Sequence, residues 1–145
     1  MARIVGIDFG EKRVGIASTD PLQIIANGIT TLPPTEAIDF LAKFVLENEV
    51  ALFVIGRPTT LKNEPAAVLQ KVEQFVTTLK QEIPSVPIVF FDERFTSVLA
   101  QRTMIESGLR KKERRNKALV DKISATIILQ SYLESKEFYN KHNTL

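Results

Sequence analysis

The stretch Ile4-Val5-Gly6-Ile7-Asp8-Phe9-Gly10-Glu11-Lys12-Arg13-Val14-Gly15-Ile16-Ala17-Ser18 says most about the architecture. Ile4 to Ile7 is a short apolar, β-branched run, the pattern of a buried strand. Gly10 to Arg13 reads as a turn, and Val14 to Ser18 resumes as a second strand. Asp20-Pro21 marks another turn, after which Gln23 to Thr31 forms a third strand. Three strands on short connections predict an antiparallel meander.

Working outward, Pro33-Pro34 ends the meander, and Thr35 is placed to N-cap a helix with Glu36 and Asp39 in its first turn. Ile38, Leu41, Ala42, Val45 and Leu46 recur there at helical spacing. Ala51 to Ile55 is a fourth buried strand, closed by Gly56-Arg57-Pro58. Pro65 opens a second helix from a first-turn position, with Val68, Leu69, Val72, Phe75, Val76 and Leu79 as its apolar stripe. Pro87 to Phe91 is a fifth strand. Thr96 or Ser97 caps a third helix that Gly108 stops, and a fourth helix runs from about Ala118 to Leu133. The order βββ-α-β-α-β-α-α predicts an α/β fold. Its mixed five-stranded sheet combines the three-strand meander with two strands parallel to the first, and helices flank it. No repeat or low-complexity segment divides the chain, so residues 1–138 are expected to form one domain and 139–145 a polar tail.

A chain of 145 residues, 44% hydrophobic and 25% charged, suits one globular domain with a core of its own. It has no cysteine, which excludes disulfides, thiol nucleophiles and cysteine-held zinc. With His142 as the single histidine, a serine–histidine triad or a multi-histidine metal site is not expected. Chemistry must rest on carboxylates, hydroxyls, lysines or arginines, with or without a metal held by oxygen. The apolar run of the N-terminus is too short for a signal peptide and Asp8 interrupts it. No apolar run approaches the roughly 18 residues of a membrane helix, so a soluble, cytoplasmic protein is expected. Net charge is only +2, yet residues 94–122 hold nine Lys/Arg against three Asp/Glu. Such a block suits a polyanionic partner or, equally, a solvated helical face.

The acids carry most of the chemical information. Asp8 ends the first strand, and Asp92 and Glu93 end the fifth. In an open α/β sheet the carboxyl ends of parallel strands gather at one edge, where ligands bind. Alternation puts Asp92 and Glu93 on opposite faces, so only one of them points easily at Asp8. Asp121 sits in the first turn of an apolar helix, beside the small residues Ser124 and Ala125 that allow close packing. Three converging acids without histidine suit a hard cation such as Mg²⁺ or Mn²⁺. Each acid also has a plain structural reading: Asp8 as a turn cap, Asp92-Glu93-Arg94 as a surface ion-pair cluster, Asp121 as a favourable charge at a helix N-terminus. Spacing alone does not choose between them.

Several motifs are decoys. Gly10 to Gly15 has half the P-loop spacing, but Ile16-Ala17 follows in place of Lys-Ser/Thr and a strand follows in place of a helix. Asp8-Phe9-Gly10 spells the kinase magnesium motif in a chain too short for a kinase. The same hairpin is like the phosphate loop of sugar kinases and actin, whose ATP cleft needs two such domains.

Gly6-Ile7-Asp8-Phe9-Gly10-Glu11-Lys12-Arg13-Val14-Gly15-Ile16-Ala17 resembles the opening signature of the YqgF family, also called RuvX. Asp92-Glu93-Arg94-Phe95-Thr96-Ser97 resembles its D-E-R-[LF]-T-S motif, and Val120-Asp121-Lys122-Ile123-Ser124-Ala125 through Leu133 its last helix. The three motifs occur in order across residues 3–133. The resemblance implies a ribonuclease-H-like fold related to Holliday-junction resolvases. It also implies a nuclease that matures the 5′ end of pre-16S ribosomal RNA, with resolution of DNA junctions as the older alternative. Carried over residue by residue, Asp8, Glu93 and Asp121 match the family's acids, with Glu93 favoured over Asp92 as the metal ligand. The loop from Gly56 to Glu64 keeps the family's Gly and Pro but lacks its later glycine, which leaves its effect on substrate choice open. Ser124 stands where alanine is common.

The expected activity is metal-dependent endonucleolytic hydrolysis of structured nucleic acid, with one or two Mg²⁺ or Mn²⁺ ions on Asp8, Glu93 and Asp121. Lys12, Arg13, Arg57 and Arg94 are expected near the same sheet edge. Arg110, Lys111, Lys112, Arg114, Arg115 and Lys117 are expected on the flanking phosphates. Such contacts position a substrate without specifying its sequence. Few aromatics interleave with the basic run, so recognition of shape is expected over base stacking. Two other classes compete: a non-catalytic nucleic-acid-binding module in which Asp8 is dispensable, and a small-nucleotide enzyme using the Gly10 hairpin. A monomer and a homodimer are both compatible with the sequence, and a strict monomer would favour RNA processing, because resolving a junction takes two active sites.

Overall fold

The structure, a computed structural model, describes residues 2–10, 12–57, 66–92 and 122–134, with the backbone only at 57, 66–69 and 92. Its sheet has five strands in the order β3-β2-β1-β4-β5. They are β1 (Arg3–Phe9), β2 (Val14–Thr19), β3 (Ala26–Leu32), β4 (Val50–Arg57) and β5 (Ile88–Asp92). β2 is antiparallel to β1 and β3, whereas β4 pairs parallel with β1 and β5 parallel with β4. The tight Gly10 turn allows the first antiparallel return. The helices α1 (Pro34–Glu47) and α2 (Ala66–Glu82) supply the long returns that parallel strands require. The mixed sheet expected from the apolar runs is therefore present.

Alternation along the strands divides the core. Val5, Ile7, Ile16, Phe53 and Ile55 share one buried cluster with Leu41 of α1 and Phe75, Val76 and Leu79 of α2. Ile4, Ala17 and Val54 turn the other way, to Ala125, Ile128, Leu129 and Leu133 of a helix over residues 122–134, here α3. Each Val, Leu, Ile or Phe among them, fully buried, contributes about 1.5–3 kcal/mol. α3 sits close to the sheet because β1 has no side chain at Gly6. A Cβ there would stand 2.8 Å from Leu129 Cβ and 3.0 Å from the Ala125 carbonyl oxygen.

Two sequence expectations are corrected. β3 starts at Ala26, not Gln23. The N–H groups before it go to Asp20 instead of to a ladder: Oδ1 accepts from Ile24 and Ile25 at 2.8 Å each, and Oδ2 from Leu22 at 2.9 Å. These donors, Ile25 foremost and against a smaller opposing effect of desolvation, hold the Asp20 carboxyl below its ordinary value of 3.8. Gln23 takes a left-handed φ of 59° and its side chain donates to the Ala2 carbonyl at 2.8 Å. Thr35 is not the helix cap. Pro33 holds that position and Pro34 begins α1, where a missing N–H costs nothing because first-turn donors lack helical partners anyway. The expected third helix, the N-terminal part of the fourth, Pro65 and the 139–145 tail lie outside the described residues. No helix among the described residues is long and apolar enough to cross a membrane.

Candidate active site

Asp8 lies near the carboxyl end of β1, the central strand. It shares strand parity with Ile4 and Gly6, which face α3, so it stands on the α3 face. Phe9 turns to the opposite face and packs its ring 5.0 Å from that of Phe75. The residues opposite Asp8 are Gly15 on β2 and Gly56 on β4. Neither carries a side chain, so no side chain of a paired strand stands directly beside the carboxylate. Sequence reasoning missed this role for the two glycines. The available signal was glycine inside otherwise apolar strands, which marks a close approach.

The direction of α3 follows from its contacts. Lys122 and Thr126 lie against Gly28 of β3, and farther along the helix Gln130 Oε1 accepts from the Ala26 N–H at 3.4 Å. Helix numbers rise as β3 numbers fall. β3 is parallel to β1, both being antiparallel to β2. α3 therefore runs antiparallel to β1 and brings its residue-122 end to the Asp8 end of the sheet.

The turn after Asp8 is closed by the Gly10 N–H donating to the Arg13 carbonyl at 2.9 Å. A Cβ on residue 10 would stand 2.7 Å from that oxygen, so this turn requires glycine. It sets Lys12, exposed, and Arg13, half-buried, at the same edge as Asp8. The backbone of Arg57 pairs with that of Asp92 at the ends of β4 and β5, on that edge too. Glu93, Asp121, Arg94, Arg110, Lys111, Lys112, Arg114, Arg115 and Lys117 lie outside the described residues. Among the described residues no three acids or histidines gather into a metal-binding group. A groove of about 590 Å³ between α1 and α2 is lined by Phe9, Phe75 and Lys71, on the sheet face away from Asp8. Its volume does not mark the chemistry.

Comparison with known proteins adds three findings. A family model described as "RuvX: Holliday junction resolvase" matches residues 2–135. A Bacteroides fragilis protein named "Putative pre-16S rRNA nuclease" is 56% identical over 136 residues, covering 94% of this chain and 99% of the relative. One of the same name from Flavobacterium johnsoniae is 47% identical over 138 residues, covering 95% and 100%. Among solved structures, "T. thermophilus RuvC in complex with Holliday junction substrate" superposes with a TM-score of 0.59 at 15% identity, covering 94% of this chain and 97% of that one. That likeness shows a ribonuclease-H-like fold.

Proposed function

The chain belongs to the RuvX family, and from that premise we propose that it is a metal-dependent endonuclease that hydrolyses structured nucleic acid, maturing the 5′ end of pre-16S ribosomal RNA in the cytoplasm. The observation that carries the reading is Asp8 at the carboxyl end of the central strand, between Gly15 and Gly56 and at the residue-122 end of α3.

Two further observations support Glu93 and Asp121 as its partners. On β5, Val89 and Phe91 belong to the α3-side cluster, so the odd-numbered positions share the face of Asp8, and two positions past Phe91 is 93. On α3, Ala125 and Leu129 lie over Gly6. Moving from Gly6 to Asp8 advances about 6.7 Å along the strand, close to the roughly 6 Å of four helical residues. Four positions before Ala125 is Asp121.

The donor set fits a hard cation: three carboxylates, oxygen only, with glycine on both strands beside Asp8. Asp8, Glu93 and Asp121 would hold Mg²⁺ or Mn²⁺, which when bound activates water and neutralises charge building on the phosphate. The chain itself positions. Asp8 is fixed by a strand hydrogen-bonded on both sides, and the Gly10 turn sets Lys12 and Arg13 to meet phosphates beside the cut. Arg57, Arg94 and the basic residues from 110 to 117 would hold the flanking backbone, as monomer or homodimer.

The test is cleavage of a labelled pre-16S 5′-end fragment and of a four-way DNA junction in Mg²⁺ or Mn²⁺. Wild type should cut the RNA, stop on chelation and resume when metal returns, while Asp8→Asn should lose at least about 10²-fold in rate. The family description names junctions, so preferred cutting of the DNA would replace the RNA reading with that one. Undiminished cutting by Asp8→Asn would refute the site.

A further inference from the structure

Part of the α3 contact with β3 is made by a lysine. The Cβ that Gly28 lacks would stand 2.7 Å from Lys122 Cγ, 3.2 Å from its Cδ and 3.0 Å from Thr126 Oγ1. The aliphatic stem of Lys122 therefore occupies the place of a side chain on β3. Thr126 Oγ1, one turn on, donates to the Lys122 carbonyl at 2.9 Å. A stem seated this way leaves the charged end to reach outward. Among the described residues no hydrogen bond or ion pair is made by its ammonium. A strand glycine under a lysine stem has no stabilising role that alanine under a shorter residue would not fill, since glycine weakens a strand. What the arrangement secures is the seat of one cation's stem over β3, the edge strand of the sheet.

Gly28 shares a row with Ala17 and Gly6. Two strand spacings across and two residues along separate it from Asp8 by about 12 Å. That separation of the stem's seat from Asp8 suits a phosphate flanking the one being cut. We propose that Lys122, seated on Gly28, is a positioning residue that holds a backbone phosphate of the nucleic-acid substrate beyond the β3 edge. The proposal rests on the nuclease reading for the identity of its ligand. Because the stem packs in the place of the Gly28 side chain, less rotamer freedom remains to be lost on binding than for a lysine free of contacts.

The experiment is binding of the labelled 5′-end RNA fragment and of the four-way junction by anisotropy, without divalent metal, across 50–300 mM KCl. Lys122→Gln should flatten the slope of log K against log[salt] by about 0.7–0.9, the contribution of one phosphate contact. Lys122→Arg should keep the wild-type slope. Gly28→Ala, which keeps the charge but displaces the stem, should lose part of it. Melting temperatures separate these effects from misfolding. An unchanged slope in Lys122→Gln, with wild type binding and cutting, overturns the phosphate contact and leaves the nuclease reading intact. A flattened slope with no cutting by wild type upholds the contact and refutes the nuclease reading.

Discussion

Gly6→Ala tests whether the seat of α3 on the sheet sets the active site. The new methyl would meet Leu129 Cβ at 2.8 Å and the Ala125 carbonyl oxygen at 3.0 Å. Neither is the end of a flexible side chain, so the helix itself must retreat. Carbon pairs settle at about 3.5–4.0 Å, which asks for a shift of about 0.7–1.2 Å. Overpacking of this kind costs about 1–3 kcal/mol. Replacing a strand glycine returns about 0.5–1 kcal/mol, leaving a net loss of about 1–2 kcal/mol. For a domain this size that lowers Tm by about 3–8 °C, so the variant stays folded at 25 °C. Activity should suffer more, because α3 carries the residue-122 end to Asp8, and an ångström of misplacement costs about 10²-fold. The assay pairs a thermal melt with initial cleavage rates at 25 °C. A Gly6→Ala protein that melts at or above wild type, or cuts at its rate, would refute the close seat of α3 as the device that assembles the site.

Two further outcomes follow from the fold. The folded-state carboxyl of Asp20 lies below 3.8, so the stability it contributes is whole above that pH and fades as pH falls through the lowered value. Asp20→Ala should thus lower the urea midpoint at pH 7, and its gap to wild type should close only below pH 3.8; a gap that already closes between pH 7 and 5 would sink this account. Phe53, wholly buried in β4 among the α1 and α2 side chains, should cost about 3–5 kcal/mol as alanine in urea unfolding, and a loss under 1 kcal/mol would show that the cluster collapses to fill the space.

The strands were legible where burial was two-sided. Ile4 to Ile7 and Ala51 to Ile55 are continuous apolar runs because each lies between two helical layers. The end of the meander misled, since Ile24-Ile25 is apolar and β-branched yet stays outside the sheet. Leu22, Ile24 and Ile25 are each more than half exposed, and one carboxylate claims their N–H groups. Propensity cannot register that competition, because the winning acceptor is a side chain up to five residues away. Thr35 failed as a cap for a similar reason: two prolines began the helix before it.

The α/β order, the parallel placement of β4 and β5, and Asp8 at a strand's carboxyl end were all legible in the residues, because these depend on periodicity and connection length. Which face Asp8 takes and what stands beside it emerged with the folded sheet. Those depend on register: Gly15 and Gly56 meet Asp8 through pairings set by the whole sheet, and Lys122 meets Gly28 across 94 positions of chain. Contacts between residues so far apart are fixed by how layers pack, and no local pattern encodes them.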